Sequence, residues 1–486
     1  MPDTTRRIGH AFSDLRSLDA DGLTILTRRH MLAAGLSGMS GLSAANVLHA
    51  GPATAQDVSR PTGRKAVILL WMAGGPSQLD TWDPKPERPA ENRGPFASIS
   101  TAVPGINISE HLPKQAEMMD RFTLIRSVDS KRSEHSPNKV MQTGNSNASP
   151  RRNPKGEMYP AIGSVVARFH GANRPGMPPY VAFNRDPAHI ARGGMIGMRY
   201  DPMNGHRAAG LPEYKGFGRL TEQATDVYNS GRFDLTEGLT TNRVRERDEL
   251  IQNLNRLRSG IDQSGALDAA DHFQDQAIQM VLGGEAQSAF DLSREPQATR
   301  NRYGKHLWCQ QALLARRLIQ HGVSFVTVDL TMGINAGDWD SHGDNHVFGG
   351  IETGLKPLLP VFDHLITTLV GDLEDNGMLD DVLVLALGDF GRSPIIGTQK
   401  GFTGGRNHWP SIMSMCLAGG GLRHGQVIGS SDIDGGKIKD RPVTPADLSA
   451  TIYKHMRVPL DSTYLDTRGR PLYIVEGNGQ PLRELF

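Results

Sequence analysis

Residues 66–72, AVILLWM, are an unbroken apolar run that stops at Ala73-Gly74-Gly75-Pro76. A run of this length, without polar alternation and closed by a turn signal, reads as a strand buried on both faces. Working outward, residues 122–128 (FTLIRSV) repeat the pattern after a helical stretch around Leu112 to Met119. Residues 324–330 (SFVTVDL) and 382–387 (VLVLAL) repeat it again, with a helical pattern between them. Strands alternating with helices predict an α/β fold with a parallel sheet, because parallel neighbours need crossover connections.

Other stretches read differently. From about Leu220 to Leu292 the apolar spacing is heptad-like among many charges (VRERDELIQNLNRLRSGI, 244–261), which predicts a helical insertion at about 219–295. Pro- and Gly-rich segments, Pro84 to Pro104 and Phe183 to Gly218, read as binding loops. Near the end, Thr444-Pro445 with Asp447 in the first turn announces a helix running to about Val458.

The first 55 residues carry the pair Arg28-Arg29 in TRRHML, then a mildly apolar segment, Met31 to Ala50, then Ala53-Thr54-Ala55 before Gln56. This order predicts a twin-arginine signal peptide over 1–55, use of the twin-arginine export machinery, and a folded chain over 56–486 delivered to the periplasm or outside. Asn46, His49 and the glycines make the apolar segment a poor membrane span, so no stable span is expected after cleavage. Lys plus Arg total 53 against 52 for Asp plus Glu, which argues against a nucleic-acid partner. Only Cys309 and Cys416 are present, and their helix-like and strand-like settings predict two buried thiols rather than a bridge.

Chemistry concentrates after the strand-like runs, where ligands bind in parallel sheets. After SFVTVDL come Asp338, Asp340, His342, Asp344 and His346; Asp338 or Asp340 with His342 could reach one cation from one short loop. VLVLAL is followed by Asp389 and Arg392 in GDFGRS, and then by Arg406 and His408 in GGRNHW. Carboxylates and imidazoles from successive strand ends predict a divalent metal site (Zn, Ca, Mg or Mn), with Arg392 and Arg406 suited to an anionic oxygen ligand. After the first strand, GGPSQLDTWD offers Asp80. Behind FTLIRSV, His135 and Ser136 fall in SEHSPN, so a serine or a metal-activated water is a candidate nucleophile.

Taken in order, GGPSQLDTWDPKP, WDSH, GDFGRSP, GRNHW and PADLSATIYKHMRVP resemble the alkaline phosphatase and sulfatase superfamily, and the chain resembles its exported branch, the domain-of-unknown-function family 1501. That resemblance implies a doubly wound α/β sheet, a metal site at its carboxyl edge, and hydrolysis of phosphate or sulfate esters. It implies Asp338 or Asp340, His342 and His408 as ligands of one metal, and Asp389 as a ligand of a second. Phe390 stands where the related motif has a histidine, and Glu134 where sulfatases carry the modified nucleophile, so the site is altered and a formylglycine mechanism is not expected. The expected function is an exported metal-dependent ester hydrolase. The alternative is a non-catalytic protein that binds a glycan or anionic polymer on the same fold.

Overall fold

The computed structural model describes residues 64–131, 139–149, 153–183, 189–205, 284–331, 338–343, 349–397 and 404–486. The leader, His135, Ser136 and most of the expected helical insertion lie outside the described residues.

Each apolar run of the sequence is a strand. In chain order the main sheet contains β1 (Ala66–Met72), β2 (Phe122–Val128), β3 (Tyr180–Phe183), β4 (Met203–Asn204), β5 (Phe325–Asp329), β6 (Val382–Gly388), β7 (Met413–Gly419) and β8 (Gln426–Ile428). Their spatial order is β8-β2-β7-β6-β1-β5-β3-β4. The pairings of β1 with β5 and β6, of β3 with β4 and β5, and of β2 with β8 are parallel, whereas β7 runs antiparallel to both β2 and β6. The sheet is therefore mostly parallel, with one reversed strand.

Strand β1 explains its own composition. Ile68, Leu70 and Met72 belong to one apolar cluster with residues of α3 (Leu307–His321) and α4 (Lys356–Asp375), while Val67, Leu69 and Trp71 belong to another with residues of α2 (Ile162–Phe169) and α5 (Pro445–His455). Alternate side chains enter opposite layers, so every position must be apolar. Truncating one of them, Leu70→Ala for example, should cost about 2–5 kcal/mol.

The helices start and stop on local signals. Thr444 and Asp447 form a capping box at α5, with Pro445 in the first turn as the sequence reading expects. Helix α3 begins where the His306 side chain accepts from the Trp308 N–H and ends at Gly322, φ 109°. The short α1 (Pro113–Glu117) is held by Asp363 of α4, whose carboxylate accepts from the Lys114 and Gln115 N–H groups. Cys309 and Cys416 are buried free thiols, as expected. Among the described residues no helix is long and apolar enough to cross a membrane.

Candidate metal centre

The centre starts from a tryptophan. Trp339 is fully buried; its ring stacks on Trp308 (centroids 5.9 Å apart), meets Phe362 edge-on, and donates from Nε1 to the Leu330 carbonyl. Its backbone N–H donates to the Ala73 carbonyl just beyond β1. Those contacts fasten the loop that follows β5 across the carboxyl edge of the sheet, and Asp340 and His342 come next.

The second arm comes from β6. Beyond Asp389 and Phe390, Gly391–Arg392 pairs antiparallel with His408–Trp409, setting His408 opposite Arg392. Gly405 lies against the backbone of His342 so closely that no Cβ would fit, and the Arg406 N–H donates to the Ser341 carbonyl at 2.7 Å. The two arms are thereby stitched together, and the imidazoles meet.

Asp340, His342 and His408 each present a donor atom, all within 4.8 Å of one another; among the described residues this is the one group of three able to hold a metal ion. His342 Nε2 and His408 Nε2 are 2.7 Å apart. Asp340 Oδ1 lies 3.3 Å from the former and 3.6 Å from the latter. The carboxylate is 1 % exposed and the His408 side chain 38 %, so the group is anchored inside and open at its imidazole end. The His408 ring also packs 4.6 Å from the Phe390 ring, centroid to centroid. Two imidazoles and a carboxylate are the donors that zinc-like borderline cations take. The residues therefore fit a bound cation. Of the two aspartates expected in this loop, Asp340 and not Asp338 joins the group.

The remaining predicted residues are distributed around this group. Both arginines are fully buried and are engaged by carboxylates and carbonyls of the chain itself. Arg392 lies 2.5 Å from Asp340 Oδ1 and donates to the carbonyls of Gly74, Gly75 and Arg406. Arg406 clamps Asp80 at 2.7 and 3.3 Å and donates to the carbonyls of Asn92, Ser393 and Pro394. Ser77 Oγ donates to the same Asp80 carboxylate, so Asp80 is engaged away from the three donors. Asp389 is buried and accepts from the Gly74 N–H at 3.2 Å.

One further pair escaped the sequence reading. Asp329, the last residue of β5, is buried, and His189 Nδ1 lies 3.1 Å from its Oδ2. Burial raises the Asp329 carboxyl above the ordinary range, the His189 contact opposes this, and the Asp389 charge adds to it. The available signal was a carboxylate closing an otherwise β-branched run; His189, 140 residues earlier, gave none.

No curated protein matches the chain. Solved structures that resemble it include Ps i-CgsB (TM-score 0.36, 11 % identity, covering 82 % of this chain and 72 % of that one). Others are the PsFucS1 sulfatase from Pseudoalteromonas sp. (0.34, 12 %, 82 % and 68 %) and the phosphonate monoester hydrolase SpPMH from Silicibacter pomeroyi (0.31, 12 %, 76 % and 71 %). Superposition at that level leaves the chemistry to be argued from this chain's own side chains. Residues 64–486 match the family described as "Protein of unknown function (DUF1501)", and the chain belongs to that family.

Proposed function

We propose that this protein is an exported hydrolase of phosphate or sulfate esters that works with one divalent cation, on a doubly wound sheet of the alkaline phosphatase and sulfatase type. The observation that carries this reading is the convergence of Asp340, His342 and His408 from two strand ends onto one point, open to solvent at His408. A cation held there supplies Lewis-acid polarisation of an ester oxygen or activation of water. The donor set favours zinc or a similar ion over calcium or magnesium, which prefer oxygen ligands.

The chain's own residues do the rest. Arg392 orients Asp340 and offsets its buried charge, which keeps the carboxylate aimed at the imidazoles. Phe390 braces the His408 ring instead of ligating, which is what makes the site differ from the related motif. Arg406 and Asp80 lock the turn after β1 against the His408 ribbon. In this reading both arginines are framework for the site, and the ester is met at the exposed side of His408. Folded export by the twin-arginine route suits such a site, because its donors come from segments 66 residues apart in sequence that only folding unites.

Phe390 and Glu134, standing where the related motifs have a histidine and the modified nucleophile, also favour a second reading, a non-catalytic binding protein for a glycan or anionic polymer. One experiment separates the two. The mature chain and its His408→Ala variant are analysed for bound metal and assayed against aryl phosphates and aryl sulfates. Stoichiometric metal and turnover, both lost in the variant, are expected of the hydrolase; metal-free folded protein, or metal without turnover of any ester, refutes it. Replacing Arg28 and Arg29 by lysine should hold the precursor in the cytoplasm, and undiminished export would refute the twin-arginine route.

A further inference from the structure

The carboxyl edge of the sheet carries more than the metal group. Strand β7 runs antiparallel to both β2 and β6, so β2 points the same way as β6 and ends on the same edge. Ser130, just beyond β2, donates to the Pro410 carbonyl from its N–H at 3.2 Å and from its Oγ at 2.8 Å. Pro410 stands two residues past His408. That is about 7 Å of extended chain, so the exit of β2 is bonded to the ribbon that carries the exposed imidazole.

Beside that exit lies a cleft of about 450 Å³, lined by Lys131, Ser146, Asp447, Glu476 and Asn478 among others. Its walls are joined before any ligand arrives. Val443, just before α5, exchanges backbone hydrogen bonds with Ser127 and Asp129 at 2.9 Å. Asp129 accepts from the Lys131 N–H at 2.9 Å and from its Nζ at 2.7 Å, which holds this lysine in the left-handed region at φ 55°. Glu476 accepts from the Ser146 N–H at 2.7 Å, from Ser146 Oγ at 2.5 Å and from Asn147 Nδ2 at 3.0 Å. The Gln480 N–H donates to Asp447 Oδ1 at 2.8 Å, and Gly479 lies so close to Ala446 that no Cβ would fit. The end of β2, the first turn of α5 and the segment 476–480 thus form one preformed surface.

The lining is polar and of mixed charge. Asp447 and Glu476 offer acceptors, and Lys131 and Asn478 offer donors. A hydroxyl does both, so a chain or ring of hydroxyls can pair with each kind of wall. An ammonium has donors beyond the one that Asp129 takes, and a carboxylate oxygen has a second lone pair, so these groups keep capacity for a ligand. A further anionic group would face Asp447 and Glu476, and an apolar one would strip water from the walls without replacing its hydrogen bonds. We propose that this cleft is the subsite for the alcohol portion of the ester and that this portion is a polyol, a sugar or a cyclitol; this rests on the hydrolase reading above. The phosphate or sulfate then sits at the exposed side of His408, and the hydroxyls reach past Pro410 to Lys131, Glu476 and Asn478. Selectivity follows because an alcohol without further hydroxyls leaves those polar groups unpaired.

The test uses the mature metal-loaded protein and its Lys131→Met, Asn478→Ala and Asn478→Trp variants. Neither residue belongs to the metal group, and Asn478 sits exposed in a turn, so each variant should keep the parent's metal content. The substrates are phosphate and sulfate esters of glucose, of inositol and of cyclohexanol, the last being the cyclitol ring without its further hydroxyls. The parent is expected to favour glucose or inositol esters over cyclohexyl esters by about tenfold or more in kcat/KM, and the better of the two names the polyol. Lys131→Met and Asn478→Ala should each shrink that preference at least about threefold, mostly through KM, and Asn478→Trp, which fills the cleft, should abolish it. A parent without the preference, or variants that keep it, overturns this proposal alone. A parent that binds metal and turns over none of the esters removes the hydrolase reading, and this one with it. Binding is read separately by saturation-transfer NMR with free glucose and free inositol. Transfer to one of them in the parent and its loss in Asn478→Trp are expected, and no transfer in the parent overturns the assignment of the cleft.

Discussion

Arg392→Met tests the least visible part of the site. The substitution removes a guanidinium that lies 2.5 Å from Asp340 Oδ1 and donates to the carbonyls of Gly74, Gly75 and Arg406, all without access to water. Methionine fills much of the same volume and brings no charge. Breaking a buried ion pair at one partner costs about 3–5 kcal/mol, and each buried carbonyl deprived of its donor about 1 kcal/mol more. These contributions overlap, so the expected loss is about 4–6 kcal/mol, a large share of the roughly 5–15 kcal/mol that holds a domain folded. Arg392→Lys should fall between, because an ammonium can meet Asp340 but cannot fork across two carbonyls. A divalent ion on Asp340, His342 and His408 would return positive charge to the carboxylate. Zinc should therefore raise the urea midpoint of Arg392→Met more than that of the parent. The assay is equilibrium urea unfolding followed by circular dichroism, with chelator and with zinc. A methionine variant within about 1 kcal/mol of the parent in chelator, or an equal zinc response in both proteins, would refute the claim that Arg392 holds Asp340 for a cation.

Other consequences follow from the same contacts. Gly405→Ala drives a Cβ into the backbone of His342 and should part the two imidazoles, lowering zinc affinity at least about tenfold by calorimetry; unchanged affinity would show that the arms are not stitched there. Burial holds the His306 and His455 imidazoles down at about 4, against 6.5 when exposed. A depressed histidine contributes stability that is complete above about pH 6.5 and is lost as the pH falls toward 4. Each should then cost about 3 kcal/mol at pH 4, and His455→Gln should flatten the acid limb of the stability curve; a limb of unchanged steepness counts against it. Burial pushes the Cys309 thiol up to about 12, so neither cysteine should react with a thiol reagent until the protein unfolds, as a timed reaction in native buffer and in denaturant will show.

Much of the frame was legible from residue order. The strand at 66–72 has to be apolar at every position because helical layers cover both its faces; the run at 382 obeys the same constraint, and those at 122 and 324 send apolar side chains into both clusters around a few polar positions. The family resemblance carried by the short motifs is matched by the family's extent over 64–486. Strand order was not legible, nor was the reversal of β7, since an apolar run looks alike in either direction. At the site, the donor types were legible but the choice between Asp338 and Asp340 was not. Trp339 decides it: once the indole is buried against Trp308 and Phe362, the residue after it is carried to Arg392 and the two imidazoles.

The arginines make the same point from the other side. In sequence, Arg392 and Arg406 stand beside flexible glycines and next to the expected ligands, which is how anion-binding residues look. Only the tertiary structure decides that both are spent on backbone carbonyls and on Asp340 and Asp80. Likewise, no spacing rule links His189 to Asp329, because they meet through the stacking of strand ends and not along one element. Sequence by itself determined which segments must be buried and which residue types gather behind them, because apolar periodicity and turn chemistry act over a few neighbours. The direction in which each charged side chain points depends on which carbonyls and carboxylates the fold leaves within its reach, and that is settled by contacts between segments hundreds of residues apart.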